Sequence, residues 1–98
     1  RSPIGIAFST QGRFRFANPQ FTEMFGSRIG DEAKDIYVHL EDRERIKAIL
    51  KQGEVVHVQE MLMYDKQHRE RDMLTSFHGK AFACGEIKLN SGINGIRK

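Results

Sequence analysis

Gly12-Arg13-Phe14-Arg15-Phe16-Ala17-Asn18-Pro19-Gln20-Phe21-Thr22-Glu23-Met24-Phe25-Gly26 carries the transition that decides the fold. Charge and aromatic side chains alternate at period two from Arg13 to Ala17, which reads as a strand with Phe14 and Phe16 on its buried face. Asn18-Pro19 then stops it. Asn is a preferred helix N-cap and Pro loses no hydrogen bond at the first helical position, so a short helix is expected from Pro19 to about Phe25, ended by Gly26. Phe21, Met24 and Phe25 fall on one side of that helix. Toward the N-terminus, Ile4 to Thr10 alternates larger and smaller side chains and meets Gln11-Gly12, so the first two strands form a hairpin.

Toward the C-terminus, Ser27 to Val38 has little periodicity and reads as a loop with at most a short helical turn. From Glu41 to Gln52 an amphipathic helix is expected, with Leu40, Ile46, Ile49 and Leu50 apolar and Arg43, Glu44, Lys47 and Lys51 outward. Glu41 and Asp42 in its first turn and Lys47 and Lys51 toward its end suit the helix dipole, and Gly53 ends it. The period then returns to two. Glu54 to Tyr64 reads as a long strand, Asp65 to His68 as a turn, and Arg69 to about Ala83 as a strand interrupted near Gly79. A last strand is expected between Glu86 and Arg97.

On the long strand, Val56, Val58, Leu62 and Tyr64 lie on one side and Val55, Met61 and Met63 on the other. Neither side is fully polar, so either both faces of the sheet are covered, one by helices and the other by a partner subunit or flanking helix, or these are the exposed apolar residues common in strands. Val58, Leu62 and Tyr64 are the candidate interface.

The 98 residues allow one compact domain, read as residues 1–98 of a single module cut from a longer multidomain protein. A single cysteine cannot make an internal disulfide, so a cytoplasmic setting follows. No apolar run is long enough to span a membrane. The formal charge of +3 comes from interleaved cations and anions, not from a basic stripe, which argues against nucleic-acid binding.

Three stretches together resemble the PAS domain, the sensory module of bacterial histidine kinases, cyclic-dinucleotide enzymes and related regulators. Pro3-Ile4-Gly5-Ile6-Ala7 with Gly12 to Pro19, Phe21 and Phe25-Gly26 is similar to the family's opening strands and first helix. Val38-His39-Leu40-Glu41-Asp42-Arg43 resembles its Val-His-Pro-Glu-Asp-Arg helix start. Gly53-Glu54 before a long strand and a charged turn at Asp65 to Arg69 resembles its later hairpin. Leu40 stands where the family has Pro, Gln67-His68 where Asp-Gly is usual, and Asp72 where Trp is frequent. The resemblance implies an α+β fold, a five-stranded antiparallel sheet with short helices packed on one face, often dimeric and joined to an effector domain.

The family's flavin-reactive cysteine would fall in residues 26–40, which contain none. Haem-binding members use a histidine of the long helix, and Glu41 to Gln52 has none; His39, just before it, reads as a capping or surface imidazole. His57, His68 and His78 lack a short metal-ligand spacing, so no metal site is expected. No nucleophile elbow, phosphate loop or paired acid and base stands out, so no catalytic residue is assigned. In the PAS pattern Gln59, Met61 and Met63 face the helices together with Phe14, Phe16, Phe21 and Tyr37, and these seven are the candidate ligand-binding residues. Met61 and Met63 read equally as adaptable core. A buried Gln59 amide must find a partner in the protein, a water or a ligand.

The expected function is therefore a non-catalytic sensory or relay module that binds a small ligand or passes a signal to an effector of histidine kinase or GGDEF type. A ligand-free dimerisation module and a haem or non-covalent flavin sensor are the alternatives. The cofactor is left unassigned, and the expected partners are a second copy of the chain, the linked effector and a small molecule.

Overall fold

The computed structural model describes residues 4–86. In chain order they form β1 (Gly5–Thr10), β2 (Arg13–Ala17), α1 (Pro19–Phe25), a 3-10 turn (Ala33–Ile36), α2 (Leu40–Lys51), β3 (Val56–Tyr64), β4 (Glu70–His78) and β5 (Ala81–Glu86). The strands make one antiparallel sheet in the order β2-β1-β5-β4-β3. Both helices pack on one face of it, as the α+β reading requires.

Asn18 organises the first third of the chain. Its Oδ1 accepts from the Phe21 N–H at 2.8 Å, capping α1, and from the Ile6 N–H at 3.0 Å, while its Nδ2 donates to the Ile4 carbonyl at 3.1 Å. One side chain thus fixes both the start of α1 and its approach to β1. Asn18→Ala is expected to cost about 2 kcal/mol, the upper end of the range for a lost cap, because two further bonds go with it. Chemical denaturation measures this; an unchanged midpoint would contradict the assigned role.

The loop between α1 and α2 crosses the helical face of the sheet from one edge to the other. At the β2 edge, the Phe14 N–H donates to the Asp31 carbonyl and the Ala33 N–H to the Gly12 carbonyl. At the β3 edge, Tyr37 pairs with Met63. Both outer strands are covered over part of their length, which blunts edge-to-edge association and presses Ala33, Ile36 and Tyr37 onto the core.

Two bulges change which residues face that core. Phe8 pairs with Phe16 and Ser9 with Phe14, so Arg15 is an extra residue and the alternation of β2 shifts there. Phe14 is 2% exposed, but Phe16 is 45% exposed on the outer face, its ring tilted against Phe8 at a centroid distance of 5.4 Å. The expectation that both rings are buried is corrected accordingly. A second irregularity between Val56 and Gln59 carries Val56 to the core side with Met61 and Met63, not to the side of Val58.

The third correction concerns the sheet's last strand. Gly79 does not interrupt a strand; with φ +62 it takes the first central position of a two-residue turn between His78 and Ala81, the glycine preference of a II′ hairpin. The fifth strand is therefore Ala81–Glu86, and most of the stretch from Glu86 to Arg97 lies outside the described residues. On α2, Ile46 is buried as expected, but Leu40 is exposed and Arg43 turns inward. At roughly 100° per residue, Leu40 lies about 120° around the helix from Ile46 and Arg43 only about 60°.

Candidate functional site

α2 packs against β3 and β4, and Ile46 and Leu50 share with residues of β1, β2, β4 and β5 a cavity of about 80 Å³ beside the helix. Its inner wall comes from Ala7, Phe14, Ile36, Phe77 and Phe82, all buried. Tyr37 adds a phenol from the end of the crossing loop. Arg43, Lys47, Ser9 and Lys80 also line it, and these four recur in a longer groove along the outside of α2 with Gly12, Glu44 and Lys51. Where cavity and groove meet, the chemistry therefore changes from apolar to cationic.

Tyr37 is 9% exposed, and burial pushes its phenol up to about 12 from 10, with the Arg43 charge pulling the other way and Cys84 and Asp42 adding to the rise. Its hydroxyl bonds no described residue and, since no buried side-chain oxygen among them is left unsatisfied, it retains contact with solvent. The Arg43 side chain is 17% exposed and its one ion pair among the described residues, with Glu44, spans 3.7 Å. Asp42, beside it, is engaged by Arg45 at 3.1 Å.

Among the seven candidate ligand residues, Phe14 and Tyr37 line this cavity. Phe21 is fully buried but belongs to an aromatic cluster with Phe14, Phe25 and Phe82, at centroid distances of 5.2, 4.6 and 5.5 Å. Met61 and Met63 face the helices and are buried in the core without lining the cavity. Gln59 also faces α2, where its Oε1 accepts from the Arg45 guanidinium at 3.2 Å and its carbonyl from the Thr75 hydroxyl at 3.1 Å. Its amide is held by protein, away from the cavity. Phe16 is on the other side of the sheet.

Sequence reading missed Arg43, Ile46, Lys80 and Phe82 as cavity residues. The spacing of Arg43, Ile46 and Leu50 at one helical face was the available signal for the first two. Nothing local marks Lys80 or Phe82, which arrive through the β4–β5 turn.

The outer face of the sheet is also apolar. Ile6, Phe8 and Phe16 form one ridge and Leu74 and the 68%-exposed Val58 another. Between them β5 presents only Ala81, Ala83 and Gly85, so the face is a shallow valley. Leu62 is half-buried, and the half-buried Tyr64 ring stacks on His68 at 4.0 Å.

Haem and flavin do not fit the cavity beneath α2, which is well below the roughly 300 Å³ at which ligand pockets of ordinary size begin. It has no histidine in its wall, and His39 is exposed at the start of α2. Cys84 is buried on β5. No cluster of three metal-ligating side chains occurs among the described residues.

An antiparallel five-stranded sheet with short helices on one face and a cavity under the longer helix defines an α+β module. Among protein families, the model of the PAS domain matches residues 2–60, and the chain belongs to that family. PAS domains are regulatory modules of sensing and signalling. The match spans the opening hairpin, both helices and the first part of β3. No curated protein matches the chain significantly. No helix among the described residues is long and apolar enough to cross a membrane.

Proposed function

We propose that this PAS domain is a cytoplasmic sensor module of a bacterial signalling protein, with a small ligand seated between α2 and the sheet. The observation that carries this reading is the cavity itself, with an apolar inner wall and, at its edge, the Tyr37 phenol and the Arg43 side chain, which is 17% exposed. Ala81 and Phe82 of β5 form part of that wall, and β5 pairs with both β1 and β4. A ligand that displaces Phe82 acts on the central strand, and a linked effector of histidine kinase or GGDEF type reads the change. The ligand shifts such a balance only by binding the two arrangements with different affinity.

The apolar outer valley supports a second reading, in which the domain dimerises through this face. In this reading Val58 and Leu62, the interface candidates of the sequence, are joined by Ile6, Phe8, Phe16 and Leu74. Tyr64 is engaged by His68 and is a lesser contributor.

Native mass spectrometry of the purified chain tests both readings. Retained mass that leaves on denaturation is the expected result for the sensor. Bare polypeptide at dimer mass, converted to monomer by Phe16→Glu with the far-UV spectrum unchanged, favours the interaction module instead. Bare monomer counts against both.

A further inference from the structure

The wall of the α2 cavity is divided by chemistry. Its inner part, formed by Ala7, Phe14, Ile36 and Phe82, suits a hydrocarbon body. Cations gather where the cavity meets the outer groove: Arg43, Lys47 and Lys80, with Lys51 further along. Glu44 is the one acid lining the groove, 3.7 Å from Arg43 and 3.6 Å from Lys47, and it offsets one of those four charges. Lys51 and Lys80 make no ion pair among the described residues.

Two side chains on the wall are poorly satisfied by the protein. Arg43 is largely withdrawn from water, and its contact with Glu44 is long, to a carboxylate that is 66% exposed. A guanidinium so placed gains most from an anion that meets it directly. Tyr37 is nine-tenths buried, but its hydroxyl bonds no described residue and keeps contact with solvent, so its hydrogen is free to be donated to a ligand. An oxyanion at this point satisfies both.

We infer that the cavity takes a short-chain carboxylate, its few carbons against Phe14, Ile36 and Phe82 and its carboxylate at Arg43, Lys47 and Lys80, with the Tyr37 hydroxyl donating. This rests on the sensor reading and names the ligand class for it. The volume of about 80 Å³ restricts the tail to a few carbons, since a cavity of about 150 Å³ is filled by benzene. A bare phosphate would meet the cations but leave the apolar inner wall unfilled.

Titration of the chain with butyrate and with butyramide, followed by amide NMR shifts, tests this. The two probes share shape and differ in charge. Butyrate is expected to bind about tenfold tighter or more, the worth of a charge-assisted hydrogen bond. Arg43→Gln is expected to abolish that preference while leaving butyramide binding in place. Lys80→Gln, on an exposed turn, should reduce it in the same direction and serves if Arg43→Gln does not fold. Equal affinities for the two probes, or a preference unchanged in both variants, overturn the carboxylate assignment and leave the cavity reading standing. Absence of shifts at Ala7, Ile46 and Phe82 with either probe overturns both.

Discussion

Phe21→Ala is expected to destabilise the domain by about 3–5 kcal/mol, the cost of removing a fully buried aromatic ring. Phe21 meets Phe14 and Phe82 edge-on and Phe25 at a tilt, so one truncation removes packing from β2, β5 and α1 together. A domain of this size is stable by about 5–15 kcal/mol in total, so much of the margin is lost. Phe16→Ala, two residues beyond Phe14 in a pattern that looks identical, is expected to cost less than about 1 kcal/mol, because nearly half of its side chain is already in water. Urea denaturation of the two variants measures the contrast. Comparable losses would mean that Arg15 is not a bulge and that Phe16 points inward.

That contrast shows what kind of information the chain carries locally. Gln11-Gly12, Asn18-Pro19, Gly26 and Gly53 punctuate the first half so strongly that β1, β2, α1 and α2 are legible within a residue or two of where they occur. Each boundary is set by neighbours in sequence. Phase within a strand is not. The bulges at Arg15 and between Val56 and Gln59 come from pairing partners on other strands, so Phe16 and Val56 each carry the side expected of an unbroken alternation and sit on the opposite one. The same limit hid β5. Ala81-Phe82-Ala83-Cys84-Gly85 offers small residues to the outer face, which is how a central strand flooring a valley can look, but the stretch alone reads as the tail of the strand before it.

The site was half legible for a related reason. Phe14 and Tyr37 follow from strand phase and from the family pattern, whereas a cation on an amphipathic helix is assigned to water by default. Arg43 departs from that default because it shares the face of Ile46, so its side chain is only 17% exposed and lines the cavity. Gln59 shows the reverse. Its position facing α2 is as expected, yet Arg45 on that helix takes the amide oxygen, a pairing across fourteen residues that no spacing rule announces.

Tyr37 makes the cavity testable through stability alone. Its phenol is held at about 12 against an ordinary 10, chiefly by burial. A group whose folded value is raised contributes stability that is fully present below the unfolded value and is lost as pH rises through the folded one. The window is therefore pH 10 to about 12. Across it the native state is expected to lose about 2–3 kcal/mol, since each pH unit is worth about 1.4 kcal/mol once the unfolded phenol ionises and the folded one does not. Lysines titrate in the same range, so the quantity to measure is the difference between the wild type and Tyr37→Phe in urea midpoint, taken at intervals from pH 9 to 12. The wild type should lose ground against Tyr37→Phe only above pH 10. Parallel curves would mean that the phenol meets water freely and that the cavity is open on that side. With butyrate seated at Arg43, the loss should begin at the same pH and extend higher, because an anion beside the hydroxyl disfavours the phenolate further.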